Sequence, residues 1–142
     1  MWTILTIDTN IWAYYFDSDT PEHARVAERV EESLKKGEQV VINTVIVLEL
    51  AHFLVKNLGP VEGGEKLDVF LGYPFSIADL DYATALESIE MLKRYSHLGI
   101  GGRDATILAV MRKTGTNRIM THDEALKRVD WVEAIDPLQH EP

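Results

Sequence analysis

The chain has 142 residues, of which 46% are hydrophobic, and it contains no cysteine. This length predicts a single domain, residues 1–142, that buries about 70% of the surface of the unfolded chain. The lack of cysteine excludes a disulfide framework, a thiolate nucleophile and a cysteine metal site. The N-terminus has no signal-peptide pattern and no apolar run reaches about 20 residues, so we expect a cytoplasmic protein without a membrane partner.

The formal net charge of −9 does not favour nucleic-acid binding, because affinity for a phosphate backbone comes mainly from Lys and Arg. The charge is unevenly distributed along the chain. Residues 1–90 carry 6 basic and 16 acidic side chains, whereas residues 91–128 carry 8 basic and 3 acidic ones. Only the second segment can supply several phosphate contacts, although most of its charges are also explained as solvated helix faces.

The first predicted element is a short strand of β-favouring residues, 3–7, which is followed at once by Asp8 and a helix start. An acid in this place either caps the helix or contributes to a site at the carboxyl end of a parallel strand. The residue alone does not separate these two interpretations. The next predicted elements are a helix over 10–16, a helix over 21–36 with Thr20 as its cap, and a strand over 39–42.

The following helix, predicted over 45–57 with Thr44 as its cap, has an unusually apolar first part. Between residues 45 and 55 only Glu49 and His52 are polar, and a helix that apolar is expected to be largely buried. A buried ionised carboxylate is costly unless a partner neutralises it, so Glu49 should pair with a metal ion or a basic side chain. We expect His52 to be a core or rim histidine and not a ligand.

The second half of the chain continues the alternation of helices and strands. Its predicted elements are a helix over 60–71, a strand over 75–77, a helix over 82–95 capped by Asp79 or Asp81, a helix that begins at 103 and is closed by Gly115, a strand over 117–121, a short helix after Asp123 and a strand over 131–135. Asp104 falls in the first turn of its helix, where an acid also suits the helix dipole. The order of elements predicts an α/β fold with a mainly parallel sheet.

Four carboxylates stand out by their positions in these elements: Asp8, Glu49, Asp104 and Asp123. Right-handed crossovers would bring the strand ends that carry Asp8 and Asp123 to the same edge of the sheet. Carboxylates gathered there would repel one another without a cation, and oxygen ligands favour Mg²⁺ or Mn²⁺ over zinc or copper. Such a metal suits phosphodiester hydrolysis, since it polarises the phosphate and activates a water.

The acidic positions resemble the four acidic motifs of PIN-domain ribonucleases, a family that includes the VapC toxins of prokaryotic toxin–antitoxin pairs. The matching segments span nearly the whole chain in order: Ile7-Asp8-Thr9-Asn10, Glu49, Asp104-Ala105-Thr106-Ile107-Leu108-Ala109 and Met120-Thr121-His122-Asp123. The resemblance implies a three-layer α/β/α PIN-like domain with metal-dependent cleavage of RNA. It also implies frequent dimerisation and, for the toxin branch, inhibition by a cognate antitoxin.

Carried over residue by residue, the resemblance assigns the catalytic and metal-binding roles to four carboxylates: Asp8, Glu49, Asp104 and Asp123. Asn10 and Thr121 match polar positions that help to orient carboxylates or water. Arg103 and the basic segment around it form the expected RNA-facing edge. His122 receives no role.

These observations predict an Mg²⁺- or Mn²⁺-dependent endoribonuclease, the toxin of a toxin–antitoxin pair, that forms a homodimer and binds RNA and an antitoxin. The main alternative is a catalytically silent PIN-like module that binds RNA or protein. Two other classes fit the sequence less well. An aspartyl-nucleophile phosphatase needs a second Asp where Asn10 stands. A response-regulator receiver needs an acidic pair before its phosphorylated Asp and a later Lys at a strand end, and neither pattern is clear.

Overall fold

The structure is a computed structural model that describes residues 3–139, and its five strands form one parallel sheet. The strands are β1 (Ile4–Ile7), β2 (Gln39–Asn43), β3 (Ser76–Ala78), β4 (Arg118–Met120) and β5 (Glu133–Ile135). Their order across the sheet is β3-β2-β1-β4-β5, and each neighbouring pair is parallel. The predicted α/β fold with a mainly parallel sheet is confirmed.

Helices connect the strands and cover both faces of the sheet. They are α1 (Thr9–Phe16), α2 (His23–Lys35), α3 (Thr44–Leu71), α4 (Tyr82–Tyr95), a 3₁₀ turn (Ser96–Leu98), α5 (Gly102–Thr114) and α6 (Glu124–Lys127). Right-handed crossovers put α1 to α3 on one face and α4 to α6 on the other, which makes three layers. In agreement with this arrangement, α1 packs against α2 and α3, while α4 packs against α5.

The chain reverses its direction across the sheet between β1 and β4. From β1 it moves outward through β2 to β3, and it then returns to place β4 on the other side of β1. Such a reversal leaves a crevice at the carboxyl ends of the two central strands, where open α/β sheets bind ligands. The Asp8 N–H donates to the Met120 carbonyl at 2.9 Å, so the residues that follow β1 and β4 lie side by side at this crevice.

The core anchors the end of β1 to the start of α1. Leu5 and Ile7 of β1 are completely buried, and so is Trp12 of α1. The indole N–H of Trp12 donates to the Ile7 carbonyl at 3.2 Å, and its ring packs edge-on against Phe70 with 5.1 Å between centroids. Because both sides of Asp8 are held in this way, the carboxylate between them has a defined position.

Two predicted helix starts are wrong, in each case because a nearby polar group has another partner. α2 begins at His23 and not at Pro21, since the Thr20 hydroxyl donates to a backbone carbonyl three residues earlier and closes a turn. α3 is capped by Asn43, whose side chain accepts from the N–H of the third helical residue at 2.8 Å. The hydroxyl of Thr44 instead accepts a backbone N–H from the connection between β3 and α4.

The longest helix, α3, is not the buried helix that its apolar sequence predicts. Its fully buried side chains in the first half are Ile46, Leu50 and Leu54. On another side Leu48 is 73% exposed, and the side chain of Glu49 is 37% exposed. The expectation of a buried Glu49 is therefore wrong. The apolar residues of α3 form two stripes, of which only one faces the core.

By length and composition alone, α3 is the one helix in the described part of the chain that could cross a membrane, although we expected no such segment. The backbone of Gly59 has a φ of +84°, and with Pro60 behind it this residue divides α3 into two shorter helices. These helices approach closely: a Cβ added at Gly63 would lie 2.5 Å from the carbonyl oxygen of Leu54. The apolar segment is thus a pair of packed helices.

We expect Gly63→Ala to destabilise the fold by about 1–3 kcal/mol, because the added methyl group meets backbone atoms that cannot move aside locally. Gly64→Ala is the matched control, since no atom lies within 4 Å of its added Cβ. That second substitution should stabilise the fold by about 0.5–1 kcal/mol through helix propensity. Urea unfolding of both variants measures the free energies, and equal effects would contradict the close approach of the two helices.

Candidate functional site

Each of the four predicted carboxylates is positioned by the start of a helix or by a turn close to it. Asp8 is fully buried and caps α1, where it accepts the N–H of Thr9 at 2.7 Å. Asp123 caps α6, and Asp104 lies in the first turn of α5. Glu49, in the second turn of α3, accepts from the Thr9 hydroxyl at 3.3 Å, a contact that the sequence did not predict. Asp8 and Asp123 thus each cap a helix and also belong to the candidate site.

The four carboxylates, which we call the acidic cluster, converge on the guanidinium of Arg103. Arg103 Nη1 is 2.8 Å from an oxygen of Asp8, and Nε is 3.5 Å from an oxygen of Glu49. Arg103 Nη2 is 3.0 Å from an oxygen of Asp104 and 3.5 Å from an oxygen of Asp123. The structure thus brings together the four acids singled out in the sequence and adds a cation between them.

Thr121 and Asn10 contact the cluster in different ways. The hydroxyl of Thr121 is buried, donates to Asp8 Oδ2 at 2.8 Å and accepts the N–H of Asp123 at 3.0 Å. It therefore links two members of the cluster directly. The side-chain oxygen of Asn10 accepts from the N–H of His122 at a long 3.5 Å. Asn10 therefore contacts the backbone of the residue that precedes Asp123.

Burial and charge shift the pKa values of Asp104 and Arg103. Burial raises the pKa of Asp104 to about 6, an effect that Arg103 opposes and that Asp123 and Asp8 reinforce. For Arg103 burial alone would lower the pKa, but the attraction of the carboxylates outweighs it and raises the pKa, so the guanidinium stays charged. Because Asp104 binds its proton more tightly in the folded chain, its contribution lowers the free energy of unfolding as pH rises from about 4 to about 6.

The donor atoms of the cluster suit a hard cation, although their present spacing does not. Asp104 Oδ1 is buried and is not aligned for a hydrogen bond with Arg103, so it has no donor among the described residues. A buried carboxylate oxygen that accepts no hydrogen bond, within an all-oxygen set, is a group that Mg²⁺ would satisfy. Within residues 3–139, however, no three acidic or histidine side chains are already spaced to hold a metal ion. The ligand chemistry fits, while the guanidinium stands between the ligands.

The basic segment, residues 91–128, does not present all of its charges to the acidic cluster. Arg118, at the amino end of β4, pairs with Glu38 at 2.9 Å and lies at the opposite edge of the sheet. Lys127 pairs with Asp136 at 2.6 Å. Of the three residues Arg103, Arg118 and Lys127, only Arg103 contacts the acidic cluster. The prediction of an RNA-facing edge around Arg103 stays a prediction.

Sequence reasoning missed Asp136, whose side chain is only 1% exposed at the carboxyl end of β5. Burial would raise the pKa of Asp136, but hydrogen bonds from Lys127 and His122 outweigh it and lower the pKa. His122 Nδ1 lies 2.8 Å from Asp136 Oδ2, so a buried acid positions a histidine next to Asp123. The signal was present in the sequence, since Asp136 directly follows the last predicted strand.

A comparison with known families places the chain in one of them. The model of the PIN domain matches residues 5–132. This match covers most of the chain, which therefore belongs to the PIN-domain family. The resemblance carried by the acidic motifs is confirmed.

Individual relatives are VapC proteins. Ribonuclease VapC23 of Mycobacterium tuberculosis is 28% identical over 131 residues, which cover 87% of this chain and 95% of that protein. The structure of VapBC2 from Rickettsia felis, bound to a DNA fragment from its promoter, has a TM-score of 0.74 at 20% identity and covers 94% of this chain and 98% of the other. That of VapC20 from Mycobacterium tuberculosis, a toxin that cleaves the sarcin-ricin loop, has a TM-score of 0.66 at 19% identity and covers 81% and 86%. The chain has the fold of these toxins, and its curated relatives are ribonucleases.

Proposed function

We propose that this chain is an endoribonuclease that depends on Mg²⁺ or Mn²⁺ and hydrolyses RNA phosphodiester bonds at the acidic cluster. The observation that carries the proposal is the convergence of four carboxylates at the reversal point of the sheet. Membership of the PIN-domain family and the ribonuclease names of its relatives support it. The alternative, a catalytically silent module that binds RNA or protein, does not require all four acids, and all four are present.

In this proposal the four carboxylates hold the cation, which supplies Lewis-acid chemistry at the scissile phosphate. Thr121 keeps Asp8 and Asp123 in a fixed relation, as a residue that orients metal ligands does. Asp104 would hold the cation as a carboxylate, so a cation would have to compete with a proton at this residue only below its raised pKa of about 6. Glu49 has the most exposed side chain of the four acids, so it is the one that solvent and substrate reach most easily.

We expect Asp8→Asn to lower the rate of RNA cleavage by at least about 100-fold, since replacing residues that merely orient metal ligands already costs 10–100-fold. Asp79→Asn is the matched control, because it removes the same charge from an exposed acid after β3. Cleavage of labelled single-stranded and structured RNAs, with Mg²⁺ or Mn²⁺ and with a chelator, measures both rates. Full activity of Asp8→Asn would contradict the proposal. Wild type that binds RNA without cutting it would favour the silent module.

We also propose that the chain is the toxin of a toxin–antitoxin pair and binds a cognate antitoxin. The support is that proteins of similar fold were solved as toxin–antitoxin complexes. We expect a short reading frame next to the gene whose product copurifies with this chain and suppresses its RNA cleavage. The lack of such a frame, or a copurifying product that leaves cleavage unchanged, would contradict this assignment.

A homodimer through the outer stripe of α3 is the third part of the proposal. This stripe consists of Val45, Leu48, Ala51 and Val55, with His52 among them. Leu48 is 73% and Val55 41% exposed. Contiguous exposed apolar surface of this kind marks interaction sites on soluble proteins. The stripe also explains why α3 is more apolar than a single core-facing stripe requires.

Leu48→Glu is expected to shift the chain from dimer to monomer, because it places a charge at the centre of the outer stripe. Leu86→Glu, on α4, is the matched control: Leu86 is also exposed, at 46%, and lies on the other helical layer. Light scattering coupled to size-exclusion chromatography gives the mass of each variant. A monomeric wild type, or a dimer that Leu48→Glu leaves intact, would show that this surface does not mediate self-association.

A further inference from the structure

The Arg103 guanidinium occupies the place from which a cation would reach the acidic cluster. Its nitrogens lie 2.8 to 3.5 Å from an oxygen of each of the four carboxylates. Mg²⁺ binds oxygen ligands at about 2.0–2.1 Å. An ion that contacts the same four groups therefore needs the space that the guanidinium fills. The two cations exclude each other at this position.

The metal-free cluster needs a counter-ion, and Arg103 provides it. The Asp8 side chain is completely buried, and a buried charge without a partner is strongly unfavourable. Asp8 Oδ1 accepts a hydrogen bond from Arg103 Nη1 at 2.8 Å. Without this guanidinium, four carboxylates would face one another across a small volume. Arg103 allows the chain to fold with the cluster assembled.

The four contacts between the acidic cluster and Arg103 differ in strength, which permits a divalent cation to replace the guanidinium. Its contact with Asp8 has the geometry of a hydrogen bond, whereas the 3.0 Å contact with Asp104 does not. The contacts with Glu49 and Asp123 are both 3.5 Å long. The side chain of Arg103 is also 30% exposed, so it has an open path to solvent. One strong contact and three weaker ones keep the guanidinium in place.

We propose that Arg103 is an internal counter-ion that competes with the divalent cation for the acidic cluster, and that its side chain leaves the cluster when the ion binds. This inference rests on the metal site proposed above. The released guanidinium stays attached to the start of α5, at the edge of the site, and becomes available to an RNA phosphate. Arg103 thereby links occupancy of the metal site to contact with substrate.

The test is the affinity of Arg103→Gln for Mn²⁺, measured by calorimetry or by the paramagnetic resonance signal of the free ion. We expect this variant to bind Mn²⁺ on the order of tenfold more tightly than wild type, a typical size for coupling between two binding events. Its metal-free melting temperature should fall, because the carboxylates lose their counter-ion. Arg112→Gln, which removes an exposed charge from the last turn of the same helix, should bind Mn²⁺ as wild type does.

The outcomes separate this inference from the metal site itself. Equal or weaker Mn²⁺ binding by Arg103→Gln, with clear binding by wild type, overturns the competition and leaves the metal site standing. Binding by neither protein overturns the metal site and the inference with it. Tighter binding by Arg112→Gln to the same extent would show a general effect of net charge and would also overturn the competition.

A second measurement uses wild type alone and does not depend on the folding of a variant. The Nε–H resonance of Arg103 reports on the guanidinium, and it is assigned in wild type by through-bond correlation with the backbone resonances of the same residue. Saturation with Mg²⁺, which is diamagnetic, should move this resonance to the position of a solvent-exposed arginine. A resonance that keeps its metal-free position at saturating Mg²⁺ would overturn the release of Arg103.

Discussion

The neutralisation of one buried carboxylate, Asp8, organises the centre of this molecule. A carboxylate without solvent is costly unless hydrogen bonds and opposite charge compensate it. The compensation at Asp8 comes from three elements: the N–H of Thr9 at the start of α1, the hydroxyl of Thr121 after β4 and the guanidinium of Arg103 on α5. The packing of Trp12 under the end of β1 fixes the backbone that carries this acid. These elements can meet only in the folded arrangement, so the fold and the site stabilise each other.

Most of the fold could be predicted because its signals are local. Short β-branched runs, helix-length apolar periodicity, and Gly, Pro and Asp between them place the elements in order, and the helix over 82–95 has the predicted bounds. Part of the acidic cluster followed from topology, because right-handed crossovers bring the strand ends that carry Asp8 and Asp123 to the same edge of the sheet. Glu49 and Asp104 were singled out by their positions in apolar helices and by the resemblance to the acidic motifs of the family.

The features that could not be predicted depend on contacts between residues that are far apart in the sequence. The apolar sequence around Glu49 does not say which of its two stripes the sheet covers, and Glu49 lies at the margin of the uncovered one. Asn43 and Thr44 are both competent caps, and a backbone N–H far along the chain decides between them. The position of Arg103 arises from a hydrogen bond between residues 95 apart in the sequence. The basic segment in the sequence suggested an outward-facing role for it.

Glu49 belongs both to the acidic cluster and to the lining of the outer apolar stripe of α3. Any protein that covers this stripe removes water from one wall of the crevice. A lower local dielectric strengthens the attraction of the carboxylates for a cation and also their mutual repulsion. Assembly at α3 would therefore change the strength of the charge interactions in the crevice without a contact to Asp8, Asp104 or Asp123. A single residue, Glu49, whose side chain is 37% exposed, would then couple the quaternary state to the chemistry of the site.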